Sequence, residues 1–297
     1  MFKVRVPAST ANLGSGFDCM GIALGLYSEA EFEKIESGFE IETGNGKNGY
    51  IPTDKNNLVY KSMMYLYAKS GKKLDGVKVK IKSDVPVTRG LGSSSCAIVM
   101  GLIGANKLLG NLYSKDELMY FAYKLEGHPD NVTPAMMGGF NISFCDGKRI
   151  VYSKTDVSDK IKFAAMMPDF YLSTRKSRKA LPSFTHIKNA SYNISHASML
   201  AASFAKGETE NIGICLKDRI HQKYRFPFIK SGEYIIRAAK RLGALGGYIS
   251  GAGPTIMNIV CSDAENFETR MNSLIKTNLP NWHLVMLKAD NEGVITE

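Results

Sequence analysis

Apolar and polar residues alternate in several short stretches of the chain, and this alternation predicts β-strands. Val77, Val79 and Ile81 alternate with lysines, which is typical of a strand with one buried face. The pattern predicts further strands over residues 3–6, 29–35, 39–42, 139–145, 149–152, 162–167, 247–250, 255–260 and 283–287.

Helical spacing of apolar residues appears between these strands. The apolar positions of 59–67 fall on one face of a helix, and Gly71 stands where its C-cap is expected. Ser114 and Glu117 form a capping-box pattern at the start of another helix. An apolar segment over residues 96–109 predicts a third helix. Further helices are predicted over residues 193–206, 231–242 and 264–276.

The mixture of strands and helices predicts an α+β fold. Strand-rich hairpins in the first half argue against a doubly wound parallel sheet. Beyond residue 155 the pattern changes to helices that alternate with strands, without a low-complexity linker or a solenoid repeat. The sequence therefore predicts two α+β domains, residues 1–155 and residues 156–297.

Charge and composition argue against several classes of protein. The formal charge of +10 raises nucleic-acid binding as an alternative, but apart from a cluster at 175–179 the basic residues are spread along the chain. No run of about 18 apolar residues predicts a membrane span, and the start is too polar for a secretory signal. Five scattered cysteines without a CxxC pair argue against a disulfide scaffold. We expect a cytoplasmic protein that binds neither nucleic acid nor membrane.

A segment rich in glycine and serine runs over 86–96, directly before the predicted helix. Glycines let the backbone approach an anion closely, and successive N–H groups at a helix start favour phosphate. A flexible loop with an N-capping serine would give the same local pattern, so both interpretations stay open on this segment alone. The segment is neither a GxxxxGK[ST] loop nor a dinucleotide-binding fingerprint.

Two more glycine-bearing segments flank this one in sequence: 7–18 (PASTANLGSGFD) and 246–255 (GGYISGAGPT). Together with 86–94 (PVTRGLGSS) they resemble the three signature motifs of GHMP kinases, in the same order and at suitable separations. The resemblance spans almost the whole chain. It implies an ATP-dependent kinase with an N-terminal domain like that of ribosomal protein S5 and a ferredoxin-like C-terminal domain.

Finer features resemble the homoserine kinases within that superfamily. Asn12 and Asp18 follow their arrangement in the first motif, and 126–134 (EGHPDNVTP) is similar to their segment around the metal and substrate sites. Taken without the family, 126–134 is a polar turn or a cluster that binds a metal directly. The resemblance implies ATP-dependent phosphorylation of L-homoserine to O-phospho-L-homoserine in threonine biosynthesis.

The same resemblance implies the site residues. Guanidinium groups clamp carboxylates bidentately, which suits the carboxylate of homoserine, and Asp18 suits its ammonium group. The implied substrate-binding residues are Asn12, Asp18, His128, Thr174, Arg178 and Arg225. The implied Mg²⁺ ligands are Ser94 and Glu126. The residues expected to bind ATP are Asn57, Pro86, Val87, Thr88, Arg89, Gly90, Leu91, Gly92, Ser93, Ser94, Ser95 and Cys96.

The acceptor of the hydroxyl proton is left open. Other GHMP kinases use an aspartate near this place, whereas the resemblance to homoserine kinases implies that the γ-phosphate itself takes the proton. The residues considered for catalysis are Asn131, Asp130 and Asp18, with Asn131 expected to position the substrate and Asp130 to support the site.

Alternatives remain at the level of function. A mevalonate-type kinase also acts on a carboxylated alcohol, and a non-catalytic sensor can be built on the same fold. The presence of Ser94, Glu126, Arg178 and Arg225 together argues against a sensor. We expect L-homoserine and ATP as small-molecule partners and leave a homodimer open.

Overall fold

Two β-sheets and their covering helices form the structure, a computed structural model that describes residues 1–44 and 49–297. The strands are β1 (Phe2–Ala11), β2 (Met20–Lys34), β3 (Gly38–Thr43), β4 (Gly76–Ser83), β5 (Phe140–Asp146), β6 (Arg149–Thr155), β7 (Ile161–Pro168), β8 (Ala244–Ile249), β9 (Ile256–Cys261), β10 (Trp282–Leu287) and β11 (Ile295–Thr296). The helices are α1 (Leu58–Ser70), α2 (Ser93–Leu108), α3 (Lys115–Glu126), α4 (Pro129–Met137), α5 (Thr174–Lys179), α6 (Ile187–Lys206), α7 (Ile212–Cys215), α8 (Gln222–Arg225), α9 (Gly232–Arg241) and α10 (Phe267–Asn278).

The larger sheet has the strand order β11-β1-β2-β4-β3, and β5 and β6 continue from β2. With 15 residues, β2 is long enough to pair with β5 at its start and with β4 at its end. Strands β3 and β4 pair in parallel, whereas β1, β2, β5 and β6 pair antiparallel. The prediction that this half is not a doubly wound parallel sheet is confirmed.

The smaller sheet has the order β10-β7-β9-β8 with antiparallel pairs throughout. Helix α9 lies before β8 in the chain, and α10 lies between β9 and β10. The run of elements is therefore β-α-β-β-α-β, which is the ferredoxin-like arrangement. The predicted α+β class is confirmed.

One apolar core connects the two sheets. It contains Val4 and Phe32 from the larger sheet and Phe163 and Ile259 from the smaller one, all fully buried. The short strand β11 also returns from the second half to pair with β1. Because packing runs continuously between the sheets, a domain boundary at residue 155 stays a prediction.

Local sequence signals locate several helix ends. The side chain of Asn57 caps α1 by accepting from the N–H of Val59 at 2.8 Å, and Gly71 ends the helix with a φ of 68°. Ser114 and Glu117 form the predicted capping box of α3. Within residues 1–44 and 49–297, no helix is long and apolar enough to cross a membrane.

Other elements differ from the prediction. The segment that resembles a polar turn becomes α4, because Pro129 is well suited to a first helical turn, where its missing N–H costs nothing. Helix α6 begins at Ile187, six residues before the predicted start, where the side chain of His186 caps it. Strand β1 extends to Ala11, and its last six residues are all buried. Burial on both faces removes the alternation that would have predicted this extension.

Candidate active site

Segments far apart in sequence meet around one cavity of about 260 Å³. They are the turn after β1, the glycine-serine segment before α2, the start of α4, helices α5 and α8, and the turn after β8. The sequence-predicted residues that line the cavity are Asn12, Asn57, Val87, Thr88, Gly90, Gly92, Ser93, Ser94, Glu126, His128, Asp130, Asn131, Thr174, Arg178 and Arg225. The structure therefore brings most of the predicted site together.

The glycine-serine segment forms a tight turn that leads into the N-terminus of α2. Thr88, Gly90 and Gly92 have φ angles of 58°, 79° and 70°, a region that glycine enters without steric cost. Gly92 is the N-cap of α2, and among the described residues no side chain caps this helix. The N–H groups of its first turn are therefore available to a ligand, which favours phosphate binding over a serine-capped loop.

The other two glycine-bearing motifs hold this turn in place. The backbone N–H of Ser9 donates to the carbonyl of Leu91 at 3.1 Å, and Ser250 Oγ donates to the carbonyl of Gly90 at 2.5 Å. A methyl group at Gly90 would lie 2.4 Å from the carbonyl oxygen of Ser250. Position 90 therefore needs glycine, because the segment that follows β8 packs directly against it.

The predicted metal ligands lie side by side at the first turn of α2. Ser94 Oγ donates to Glu126 Oε2 at 2.8 Å, and Ser95 Oγ donates to Glu126 Oε1 at 3.1 Å. A hydroxyl and a carboxylate are the oxygen donors that Mg²⁺ prefers. In the described part of the chain no three His, Cys, Asp or Glu side chains meet as a metal-binding group. Phosphate and water oxygens would have to complete the coordination of an ion here.

The start of α4 contributes a hydrogen-bonded cluster of His128, Asp130 and Asn131. His128 Nδ1 lies 2.5 Å from Asp130 Oδ1, and Asn131 Nδ2 donates to the same oxygen at 3.3 Å. Burial disfavours the charged imidazole, but the hydrogen bond and charge of Asp130 outweigh it and raise the pKa of His128. Ser9 Oγ donates to Asn131 Oδ1 at 2.8 Å, so this amide has a fixed orientation.

Arg178, which lines the cavity, forms a bidentate ion pair with Asp18. Arg178 Nη1 and Nη2 donate to the two oxygens of Asp18 at 2.9 and 2.7 Å. The hydrogen bond that Arg178 donates to Asp18 raises the pKa of Arg178. Asn12 holds Asp18 by accepting from its backbone N–H at 2.9 Å, and Asn12 Nδ2 donates to the carbonyl of Gly251 at 2.7 Å.

Arg225 is the largest fully buried side chain, only 1% exposed, and it lines the cavity. Its Nη1 donates to the carbonyl of Gly251 at 2.8 Å and to His221 Nδ1 at 3.1 Å, both uncharged groups. Its Nε has no hydrogen-bond partner among the described residues. Burial and the nearby charge of Arg178 lower the pKa of Arg225 to about 10. Burial of a cation without a hydrogen-bonded carboxylate is costly, and an anion in the cavity beside Arg225 would reduce that cost.

The wall next to α1 is apolar and was missed by the sequence reasoning. Val59 and Ile81 belong to predicted amphipathic patterns, but periodicity does not distinguish a core face from a cavity wall. The unpredicted residues of this wall are Tyr50, Ile51, Pro52, Leu58, Val59, Ile81, Ala97 and Met100.

Asn57 lines the cavity and was predicted to contact adenine. Its Oδ1 caps α1, and its Nδ2 donates to the carbonyl of Pro52 at 2.6 Å.

The side chain of Arg89 points away from the cavity. Its Nη1 donates to the carbonyls of Pro168 and Phe170, its Nη2 donates to that of Asp169 at 2.9 Å, and its guanidinium lies 4.2 Å from the Tyr171 ring centre. Arg89 thus connects the glycine-serine turn to the segment after β7. The remaining predicted residues are not among those that line the cavity: Asp18, Pro86, Leu91, Ser95 and Cys96.

Comparison with known proteins agrees with this geometry. The model of the GHMP kinases N terminal domain matches residues 57–139, and that of the GHMP kinases C terminal domain matches residues 200–276. These two matches and the α+β fold place the chain among the GHMP kinases.

Comparison with individual relatives identifies the family within the GHMP kinases to which the chain belongs. The chain is 42% identical to the homoserine kinase of Clostridium beijerinckii over 99% of this chain and 97% of the relative. It is 41% identical to a homoserine kinase of Clostridium botulinum over 99% and 98%. The crystal structure of homoserine kinase from Cytophaga hutchinsonii superposes with a TM-score of 0.88 at 26% identity, covering 100% of this chain and 97% of that one. The chain belongs to the homoserine kinase family and is an ATP-dependent kinase.

Proposed function

We propose that this kinase transfers the γ-phosphoryl group of ATP to the hydroxyl of L-homoserine, giving O-phospho-L-homoserine for threonine biosynthesis. The observation that carries the proposal is the buried Arg225, whose Nε lacks a partner among the described residues and whose other bonds go to uncharged groups. A carboxylate beside it would offset the cost of burying that charge. The homoserine kinase relatives support the same substrate.

The Asp18–Arg178 pair supports a substrate with both charges. Arg178 shares the cavity wall with Arg225, and a substrate carboxylate between them would be clamped by two guanidinium groups. Asp18 would then be free to accept from the substrate ammonium group, with Asn12 and His128 beside it. A zwitterion can replace both halves of the ion pair, whereas a plain acid or a plain amine replaces only one.

The phosphates would bind at the N-terminus of α2. The backbone N–H groups and the helix dipole favour the negative charge of the triphosphate there. Ser94 and Glu126 would hold Mg²⁺ together with phosphate oxygens, and the ion when bound would neutralise charge on the transferred group. The two side chains already lie 2.8 Å apart, oxygen to oxygen, which suits shared coordination.

Proton transfer in this proposal needs no side-chain base. The buried Asp130 already accepts hydrogen bonds from His128 and Asn131, so its role is to orient these two groups. Asn131, held by Ser9, would orient the substrate hydroxyl. The hydroxyl oxygen attacks the γ-phosphorus, the bond to the bridging oxygen of ADP breaks, and the proton passes to an oxygen of the transferred phosphoryl group.

A coupled ADP-release assay tests the substrate. We expect turnover with L-homoserine, and at least about a tenfold loss of kcat/KM with 4-hydroxybutyrate, which lacks the ammonium group, or 3-aminopropan-1-ol, which lacks the carboxylate. Mevalonate serves as the competing carboxylated alcohol. A higher kcat/KM for mevalonate than for homoserine would refute the proposal.

A further inference from the structure

His221 is a completely buried histidine directly behind the cavity wall, and no step of the proposed reaction uses it. It is the N-cap of α8, the short helix that ends with Arg225. Its Nε2 lies 2.9 Å from the carbonyl oxygen of Gly14, and its Nδ1 lies 3.1 Å from Arg225 Nη1. The ring of Phe17 stacks on the imidazole with 5.0 Å between centroids.

These two contacts define the tautomer of the ring. A carbonyl oxygen only accepts, so Nε2 must carry the hydrogen that points at Gly14. A guanidinium only donates, so Nδ1 must present its lone pair to Arg225. The neutral Nε2–H form therefore satisfies both partners, whereas a charged imidazolium would direct an N–H of Nδ1 at a cation.

The surroundings of the ring favour the neutral form. Burial is the main cause that lowers the pKa of His221 to about 4, and the charge of Arg225 adds to it, against the opposing effects of Asp218 and Asp18. Asp218 also holds the backbone, because its Oδ2 accepts from the N–H groups of His221 at 2.9 Å and Gln222 at 2.7 Å. The hydrogen bonds of Asp218 thus fix the backbone of His221, the residue whose Nδ1 accepts from Arg225.

We propose that His221 is a positioning residue that aims Arg225 into the substrate site through Nδ1. The inference rests on the proposed function, because it takes Arg225 to be the group that binds the substrate carboxylate. Arg225 has four rotatable side-chain bonds, and the two hydrogen bonds that it donates within the described part of the chain, to Gly251 and His221, both come from Nη1. Loss of one of these hydrogen bonds allows the guanidinium to rotate. A guanidinium that is out of position binds the substrate carboxylate more weakly.

Two substitutions of His221 distinguish the role of Nδ1 from the role of Nε2. The amide of asparagine ends where Nδ1 lies, so His221→Asn keeps an acceptor for Arg225 and loses the donor to Gly14. The amide of glutamine reaches as far as Nε2, so His221→Gln keeps the donor to Gly14 and loses the acceptor for Arg225. Both variants lose the stacked ring equally, and thermal unfolding reports how far each is destabilised.

The expected result is a difference in the KM for homoserine. His221→Gln should raise it by about tenfold or more, since a hydrogen bond to a charged group is lost, and should leave the KM for ATP within about twofold. His221→Asn should stay within about threefold of the wild type for both substrates. Equal KM values for the two variants, or a larger rise with Asn, would overturn the inference. Gln222→Met is the matched control, because Gln222 is a buried polar residue of the same helix that bonds instead to Leu216 and Ile249.

Arg225→Lys distinguishes failure of this inference from failure of the proposed function. If Arg225→Lys leaves the KM for homoserine unchanged, the carboxylate assignment itself is wrong. If Arg225→Lys raises that KM but His221→Gln does not, only the positioning role fails. In the double variant His221→Gln/Arg225→Lys, we expect no further rise beyond Arg225→Lys alone, since one residue acts through the other. Fully additive effects would contradict the inference.

Discussion

Gly92, the N-cap of α2, is the position where one added methyl group should most disturb the turn that we propose binds phosphate. Its φ is 70°, in the left-handed region, and a Cβ built there lies 2.0 Å from Ser9 Oγ and 3.3 Å from Asn131 Oδ1. Gly71, the C-cap of α1, has nearly the same φ of 68° but nothing within 4 Å of a built Cβ. The two alanine variants therefore share the backbone cost and differ in crowding.

An alanine in the left-handed region costs about 1–2 kcal/mol. The free energy of unfolding of Gly71→Ala should therefore be lower than that of the wild type by this amount. Gly92→Ala has a second cost, because Ser9 Oγ must rotate away and so break its hydrogen bond to Asn131. Breaking a buried hydrogen bond adds about 1–3 kcal/mol. We expect Gly92→Ala to lose about 2–5 kcal/mol in total.

Urea unfolding and steady-state kinetics on the two variants check this reasoning. Gly71→Ala should leave the kinetics with ATP unchanged. Gly92→Ala should lower kcat/KM for ATP by about 100-fold, since the turn proposed to bind the phosphates and the amide of Asn131 would both move. If Gly92→Ala matches Gly71→Ala in stability and in kinetics, the turn is not constrained as described.

Four further predictions concern single groups. Asp130→Asn should keep kcat within about tenfold, whereas a loss beyond about 10³ would make Asp130 the general base. Asn57→Ala should cost about 1 kcal/mol of stability through the lost cap of α1 and leave the KM for ATP nearly unchanged, and about a tenfold rise in that KM would instead indicate an adenine contact. Glu126→Gln should shift the Mg²⁺ concentration for half-maximal activity upward by about tenfold or more, and an unshifted Mg²⁺ titration would contradict the metal assignment. Because the pKa of His221 in the folded protein is about 4, below the usual value of about 6.5, the unfolded chain takes up the proton first as the pH falls. Stability should therefore fall between about pH 6.5 and about pH 4, and the His221→Asn variant should show a smaller fall in urea midpoints over that window.

Elements with local signals were predictable. Gly71 ends α1 and the Ser114–Glu117 box starts α3 because caps depend on residues within one turn of the helix end. The alternation at 77–81 predicts β4 because one face of that strand is buried and the other is largely open to solvent.

Elements defined by burial on both faces were not predictable in the same way. The end of β1 has no alternation, and α4 contains Pro134 in its interior, which argues against a helix. Both segments lie between other elements at the site, where packing outweighs local preference. The apolar wall beside α1 was missed for a related reason, since periodicity records burial but not what the buried face contacts.

The sequence by itself provided the groups from which the chemistry was predicted: glycines before a helix, a serine and a glutamate expected to bind a metal, and arginines expected to bind an anion. It also determined the class, because motifs of fixed spacing resemble a family along the whole chain. The tertiary structure decided which of these groups reach the site. Arg89 and Arg225 have the same side chain, yet Arg89 donates to carbonyls after β7, whereas Arg225 is buried and lines the cavity. The direction of each guanidinium depends on acceptors contributed by residues distant in sequence, and only folding brings those acceptors into place.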